Sequence, residues 1–128
     1  MTSERCPCGS GLPYEQCCGP LHRGGATATA LALMRSRFSA FTLGLERYLL
    51  DSWHPSTRPD GLDLDGDVEW RRLQIVDTTL GGPDDDTGTV EFRASFRTNG
   101  QPGLLEERSR FVRLEGRWTY VDGDARWS

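Results

Sequence analysis

The chain has 128 residues and a formal net charge of −4, and 36% of its residues are hydrophobic and 27% charged. This length fits one compact domain with a small appended unit, and it excludes most multidomain enzymes. All 15 basic residues are arginines, so lysine chemistry such as Schiff-base catalysis or phosphate-loop binding is excluded as well.

The N-terminal sequence is polar, and no apolar run approaches the roughly 20 residues that a membrane-spanning helix needs. We therefore expect a cytoplasmic protein with no membrane partner. Thiols stay reduced in that compartment, so clustered cysteines favour metal binding or redox chemistry over structural disulfides.

Residues 1–25 are predicted to form a small unit that a metal ion holds together. All four cysteines of the chain lie here, as Cys6, Cys8, Cys17 and Cys18, among glycines and prolines that exclude a long helix or strand. Four thiolates complete the tetrahedral coordination of one Zn²⁺ ion and leave no position for a reactive water. The spacing therefore predicts one structural zinc ion with these four residues as its ligands.

Three alternatives to this ligand set stay open. In an oxidising compartment the cysteines could form two disulfides, although the adjacent Cys17 and Cys18 cannot join each other without strain. A redox-active thiol group is the second alternative. In the third, His22 replaces one cysteine as a metal ligand.

Residues 26–54 carry apolar side chains at spacings of three and four, which predicts an amphipathic helix that faces a core. Thr27 or Thr29 is expected to cap its N-terminus, and Gly44 is a candidate break between two helices. Pro55 ends the pattern, because the residue before a proline is disfavoured in helical geometry.

Beyond residue 67, apolar and polar residues alternate, which predicts strands with one buried face. We expect strands near 68–79, near 90–97, at 105–114 and at 117–122, joined by turns at 81–86, 99–103 and 115–116. Residues 26–128 are therefore predicted to form an α+β domain in which helices pack on one face of a curved antiparallel sheet.

Residues 6–19 resemble the SEC-C motif, a zinc knuckle named for the C-terminal tail of the SecA translocation ATPase, and they fill every ligand position of that motif. Residues 33–38, 48–58, 109–112 and 116–123 resemble the YchJ-like family of bacterial proteins. The resemblance implies a zinc knuckle at 1–25, followed at 26–128 by a cone-shaped domain of the nuclear-transport-factor-two-like fold. We call these two regions the knuckle and the cone domain.

The resemblance also bears on function, because the knuckle of SecA contacts the chaperone SecB and the ribosome. It implies protein binding, and we expect a zinc-binding interaction module with a secretion, chaperone or ribosome partner rather than an enzyme. That expectation is an analogy between motifs, and it names no individual partner.

Arginines recur on the first helix and in the last hairpin, which permits an anionic partner such as ribosomal RNA. Alternate arginines on a strand more often lie on a solvated face, paired with acids across strands. The arginines are Arg35, Arg37, Arg108, Arg110, Arg113 and Arg117, and the acids are Glu91, Glu106 and Glu107.

A pocket between helices and sheet would support a different function, that of an enzyme or a small-molecule binder. The candidate pocket residues are Trp53, His54, Trp118 and Tyr120, with His54 as general base. Each also has a structural interpretation, in which the imidazole of His54 bonds to nearby backbone and the aromatic rings fill the core.

Asp63, Asp65 and Asp67 alternate as the ligands of a calcium-binding loop do. The match fails because, with Gly66 at the turn position, Gly61 and Arg72 fall where that loop needs carboxylates. We therefore predict a solvated acidic turn.

Overall fold

Helices precede strands in the computed structural model, which describes residues 4–62, 64 and 68–128. After one turn of 3-10 helix at Tyr14–Gln16 come α1 (Cys18–His22), α2 (Ala30–Leu43) and α3 (Glu46–Asp51). The strands are β1 (Val68–Leu80), β2 (Thr87–Thr98), β3 (Gln101–Leu114) and β4 (Arg117–Trp127). They form one antiparallel sheet in the order β1-β2-β3-β4, which confirms the predicted α+β class.

The predicted helical segment is divided at Gly44. Thr29 caps α2 by accepting a hydrogen bond from the amide of Ala32 at 3.0 Å. Gly44 follows α2 with a φ of 73°, a left-handed conformation that glycine adopts at little cost. The cap at Thr29 and the break at Gly44 are therefore both confirmed. No helix within the described residues is both long enough and apolar enough to cross a membrane.

The predicted turn at 99–103 is shorter in the structure, because Pro102 belongs to β3. Asn99 and Gly100 alone form the turn, each with a positive φ, as a two-residue hairpin requires. Pro102 is tolerated because it pairs with β2 on one side, while β4 ends before it reaches the other side.

β4 is longer than predicted. It ends at Trp127 rather than at Asp122, because its backbone pairing with β3 continues. The added residues bring the ring of Trp127 to 6.3 Å from that of Trp70 and 5.6 Å from that of Phe96, measured between centroids.

The hydrophobic core lies between α2 and one face of the sheet. The helix contributes Leu33, Met34 and Phe38, and the sheet contributes Val90, Phe92, Phe111 and Trp118. Trp118 is 3% exposed, and its indole N–H donates to the carbonyl of Ala28 at 3.3 Å. Full burial of such a side chain stabilises the fold by about 1.5–3 kcal/mol, so Trp118 acts here as a core residue.

Cross-strand ion pairs cover the opposite face of the sheet. Arg93 pairs with Glu106 at 3.1 Å, and Arg110 pairs with Asp122 at 2.5 Å and with Asp124 at 3.0 Å. A charge-paired face was predicted, but the pairs differ from the predicted ones: Arg93 was not among the predicted arginines, and Arg110 pairs with two aspartates of β4 instead of a glutamate. Exposed pairs of this kind contribute about 0–1 kcal/mol each.

Candidate metal centre

A tight hairpin brings the cysteines of the knuckle together. The amide of Cys6 donates to the carbonyl of Leu12 at 2.9 Å, and the amide of Gly9 donates to the carbonyl of Cys6 at 3.2 Å. Gly9 and Gly11 have φ values of 83° and 85°, which residues with a β-carbon rarely adopt. The two glycines therefore allow the chain to reverse between the first and second pairs of cysteines.

The four predicted ligands converge on one point. The Sγ atoms of Cys6, Cys8, Cys17 and Cys18 all lie within 4.8 Å of one another. The sulfur of Cys17 is 3.6 Å from that of Cys8 and 4.0 Å from that of Cys18, whereas a disulfide joins sulfurs at about 2.0 Å. All four cysteines are free, and all but Cys17 are buried. Four sulfur donors that surround one point have the chemistry that a metal site requires.

The close approach of the sulfurs shifts the pKa values of the cysteines. Contact with the Cys18 sulfur lowers the pKa of Cys8 to about 4, and the hydroxyl and amide of Ser10 act in the same direction. The same contact raises the pKa of Cys18, and burial raises the pKa of Cys17. Cysteine thiols must lose their protons to coordinate a metal, so a metal ion that binds these four sulfurs would release protons.

Helix α2 of the cone domain closes one side of the cysteine cluster. The hydroxyl of Ser39 lies 3.3 Å from the sulfur of Cys18 and 3.4 Å from that of Cys6. The guanidinium of Arg35 donates to the carbonyl of Cys8 at 3.2 Å. The knuckle therefore packs directly on the cone domain.

His22 fastens the end of the knuckle to α2. Its Nε2 lies 2.8 Å from the carbonyl oxygen of Ser36, and its Nδ1 lies 2.6 Å from the hydroxyl of Tyr14. Its ring also meets the edge of Tyr48, with centroids 4.7 Å apart. Sequence reasoning considered His22 only as a spare ligand, and its role between the two regions depends on contacts that the sequence does not show.

Two of the predicted pocket residues, Trp53 and Tyr120, pack against a buried cation, the guanidinium of Arg37. The rings of Trp53 and Tyr120 meet edge to face, 5.1 Å apart, and the Cζ of Arg37 lies 5.0 Å and 4.5 Å from their centroids. Arg37 also donates to the carbonyl of Leu49 at 2.8 Å and the hydroxyl of Ser52 at 2.7 Å. Burial lowers the pKa of Arg37 to about 10, so the side chain stays charged at neutral pH.

His54 forms a corner between α3 and the sheet. Its amide donates to the carbonyl of Tyr120 at 2.7 Å, and its Nδ1 lies 3.1 Å from the amide and 2.8 Å from the hydroxyl of Ser56. Among the described residues, no carboxylate is hydrogen-bonded to this imidazole. The geometry therefore agrees with the structural interpretation of His54.

The predicted pairing of Glu107 with arginines on the solvated face is wrong. Its carboxylate points inward and accepts hydrogen bonds from Ser109 and from Tyr120, the latter at 3.2 Å. Gly123 leaves room for it, because a β-carbon there would lie 2.5 Å from Glu107 Oε2. The alternation of the strand already places Glu107 between Leu105 and Ser109 on the buried face, and this was the signal in the sequence.

A cleft of about 870 Å³ separates the end of the knuckle from α3 and the β3–β4 turn. Trp53 and Trp118 line it, whereas His54 and Tyr120 do not. The formal charges of its lining residues cancel. They are three acids (Glu46, Asp51 and Glu115) and three arginines (Arg47, Arg58 and Arg117). Its volume is in the range of ligand pockets. Two of the four predicted pocket residues therefore border a cleft of that size.

Asp63, Asp65 and Asp67 lie outside the described residues. The solvated acidic turn stays a prediction.

Two family models match the chain. Residues 3–20 match the SEC-C motif, and residues 29–123 match the model described as "YchJ, middle NTF2-like domain". The first match includes all four cysteines, and the second runs from the cap of α2 into β4.

Similar proteins and structures cover nearly the whole chain. A UPF0225 protein of Streptomyces coelicolor is 53% identical over 97% of this chain and 98% of its own length. A UPF0225 protein of Chromobacterium violaceum is 48% identical over 92% of this chain and 90% of its own. The solution structure of a SEC-C motif containing protein from Rhodopseudomonas palustris has a TM-score of 0.81, with 35% identity, and covers 93% of this chain and 96% of that one.

Proposed function

Because the chain belongs to the YchJ (UPF0225) family and carries a SEC-C motif, we propose that it is a zinc-binding protein whose knuckle contacts another protein. The observation that carries the zinc part is the convergence of four cysteine sulfurs within 4.8 Å of one another. We place the chain in a reducing compartment such as the cytoplasm, where the thiols stay reduced and can bind a metal.

Zinc fits this donor set. Zn–S bonds of about 2.3 Å in a tetrahedron place the sulfurs about 3.8 Å apart, and the separations of 3.6 Å and 4.0 Å lie on either side of that value. The four ligands would be Cys6, Cys8, Cys17 and Cys18. They fill the coordination shell, so the ion would stabilise the fold and would not activate water.

The exposed loop at residues 9–12 of the knuckle is the surface we assign to the partner. Gly9, Ser10, Gly11 and Leu12 are exposed there, and Leu12 is 48% exposed. An apolar side chain at the tip of a rigid metal-held loop is suited to a pocket on another protein. The contact with SecB or the ribosome that the SEC-C motif makes in SecA is the analogy that supports a protein partner.

The arginines support an RNA partner less well than Leu12 supports a protein partner. Arg110 is paired with Asp122 and Asp124, and Arg113 donates to backbone carbonyls of the turn between β1 and β2. These side chains would have to leave their intramolecular partners to bind phosphate.

The zinc part is tested by mass spectrometry of the intact chain under non-denaturing conditions. We expect one zinc ion per chain, and none in the variant in which all four cysteines are replaced by serine. A metal-free wild-type chain with its thiols blocked as disulfides would contradict the proposal, and so would a different resident metal.

The partner part is tested by affinity capture, and by cosedimentation with purified ribosomes, for three chains: wild type, Leu12→Glu and Leu80→Glu. Leu80 is 66% exposed on β1, outside the knuckle, so it is a matched control. We expect a protein contact that Leu12→Glu abolishes and Leu80→Glu retains. Capture that both variants retain would contradict the proposal, and capture that nuclease treatment removes would assign RNA instead.

The cleft supports a second candidate function, small-molecule binding. Its lining includes Trp53 and Trp118 together with charged residues, and ligand pockets likewise combine aromatic with polar residues. Ligand-observed NMR with a small-molecule library tests it on the full chain. Thr27→Trp should fill the cleft and abolish binding, whereas Thr79→Trp on β1 should not; hits that survive Thr27→Trp would place the ligand elsewhere.

A further inference from the structure

Ser39 connects the cone domain to the cysteine cluster through its side chain. It lies on the inner face of α2 and is 0% exposed. Its Oγ donates a hydrogen bond to the sulfur of Cys18 at 3.3 Å and lies 3.4 Å from that of Cys6. Cys6 and Cys18 are the first and last cysteines of the cluster, so one hydroxyl contacts both of its ends.

A serine within a helix usually makes a different contact. A hydroxyl within a helix usually bonds to a carbonyl three or four residues earlier. Ser36 does so with Leu33 at 2.8 Å, and Thr42 does so with Phe38 at 3.1 Å. Ser39 directs its hydroxyl to the sulfurs instead, although it lies between these two residues on the same helix.

We propose that Ser39 is a positioning residue of the metal site, which the cone domain supplies. The inference rests on the proposed metal site and adds that the four cysteines do not determine its affinity alone. A hydroxyl that donates to a thiolate orients it and disperses its charge, and loss of an outer partner of this kind typically weakens metal binding by about 10–100-fold.

The contact also couples the two regions of the chain. Since Ser39 belongs to α2, an ion that fixes Cys6 and Cys18 also fixes the surface on which α2 packs. Binding to the folded state alone stabilises that state. The metal therefore holds the knuckle against the cone domain as well as holding the knuckle itself together.

The experiment compares the zinc affinity of wild type, Ser39→Ala and Ser36→Ala, measured on the full chain by competition with a chromophoric chelator. Alanine is a good helix former, so both variants should keep α2. Ser36 is a matched control because it is also 0% exposed and its hydroxyl contacts Leu33 and Tyr48 rather than sulfur. We expect Ser39→Ala to weaken zinc binding by about 10-fold or more, and Ser36→Ala to leave it nearly unchanged.

A second measurement separates an effect on the sulfurs from a general loss of stability. In the Co²⁺-loaded chain, thiolate-to-metal charge-transfer absorption should move to lower energy in Ser39→Ala, because thiolates without a hydrogen bond are easier to oxidise. Ser36→Ala should keep the wild-type spectrum. Unchanged affinity and spectrum in Ser39→Ala, or equal changes in both variants, would overturn the role of Ser39. A wild-type chain that binds neither Zn²⁺ nor Co²⁺ would overturn the metal site itself.

Discussion

The Nε2 atom of His22 lies 2.8 Å from the carbonyl oxygen of Ser36, and this hydrogen bond joins the last helical turn of the knuckle to the longest helix of the cone domain. Nε2 must carry a proton to donate to a carbonyl. Because burial lowers the pKa of His22, the imidazole is neutral at neutral pH. In that tautomer Nδ1 accepts from the hydroxyl of Tyr14, so each nitrogen has a partner.

Replacement of His22 by alanine should destabilise the chain. It removes the hydrogen bonds of the imidazole to the carbonyl of Ser36 and to the hydroxyl of Tyr14, which costs about 1–3 kcal/mol of unfolding free energy. Urea unfolding of the metal-loaded chain measures it. His54→Ala is the control, since within the described part of the chain the imidazole of His54 bonds only to the exposed Ser56, and it should change stability by about 0.5 kcal/mol or less. Equal losses in the two variants would contradict this role of His22.

Stability should also depend on pH through His22. Burial lowers its pKa below the usual value, the charge of Arg23 acts in the same direction, and the hydrogen bond to Ser36 opposes them. The unfolded chain therefore binds more protons between the two pKa values. The contribution of neutral His22 is complete above about pH 6.5 and is lost as the pH falls toward the folded pKa.

His22→Gln is the variant that tests this pH dependence, because glutamine does not titrate. Acid also releases metal from the cysteines, but it does so in both chains. We therefore expect the loss of unfolding free energy between about pH 7.5 and 5.5 to be larger in wild type than in the variant. An NMR titration midpoint of His22 at or above about 6.5 would contradict the prediction.

Arg37→Met should destabilise the cone domain by about 2–4 kcal/mol, because it removes the hydrogen bonds to the carbonyl of Leu49 and the hydroxyl of Ser52 and removes the cation packed on Trp53 and Tyr120. Arg47→Met is the matched control, since its side chain is 93% exposed and 3.9 Å from Asp51. The control should change stability by about 0.5 kcal/mol or less. Denaturant unfolding measures both, and a small loss for Arg37→Met would show that this cation is dispensable.

Gly123→Ala tests the inward position of Glu107. The new β-carbon would lie 2.5 Å from the carboxylate, which should cost about 1–3 kcal/mol. In a Glu107→Ala background the clash is absent, so the same substitution should cost less. Unfolding of the four chains of this double-mutant cycle gives the interaction energy, and additive effects would place the Glu107 side chain elsewhere.

Patterns within short stretches of the sequence were sufficient to predict most of the secondary structure and the clustering of the four cysteines. Helical periodicity with Thr29 and Gly44 located α2, and two-residue alternation located the strands to within a few residues. The limits of β3 and β4 were wrong because pairing between neighbouring strands, rather than local composition, decides where a strand ends.

Cysteine chemistry and spacing determined from the sequence alone that Cys6, Cys8, Cys17 and Cys18 form one cluster, since few side chains hold metal in this way. Only the tertiary structure decided that Ser39 reaches the sulfurs, that His22 bonds to α2, and that Arg37 and Glu107 point inward. The reason is physical: a local pattern reflects interactions a few residues apart, whereas each of these contacts joins segments that are distant in the chain and meet only when the core has formed.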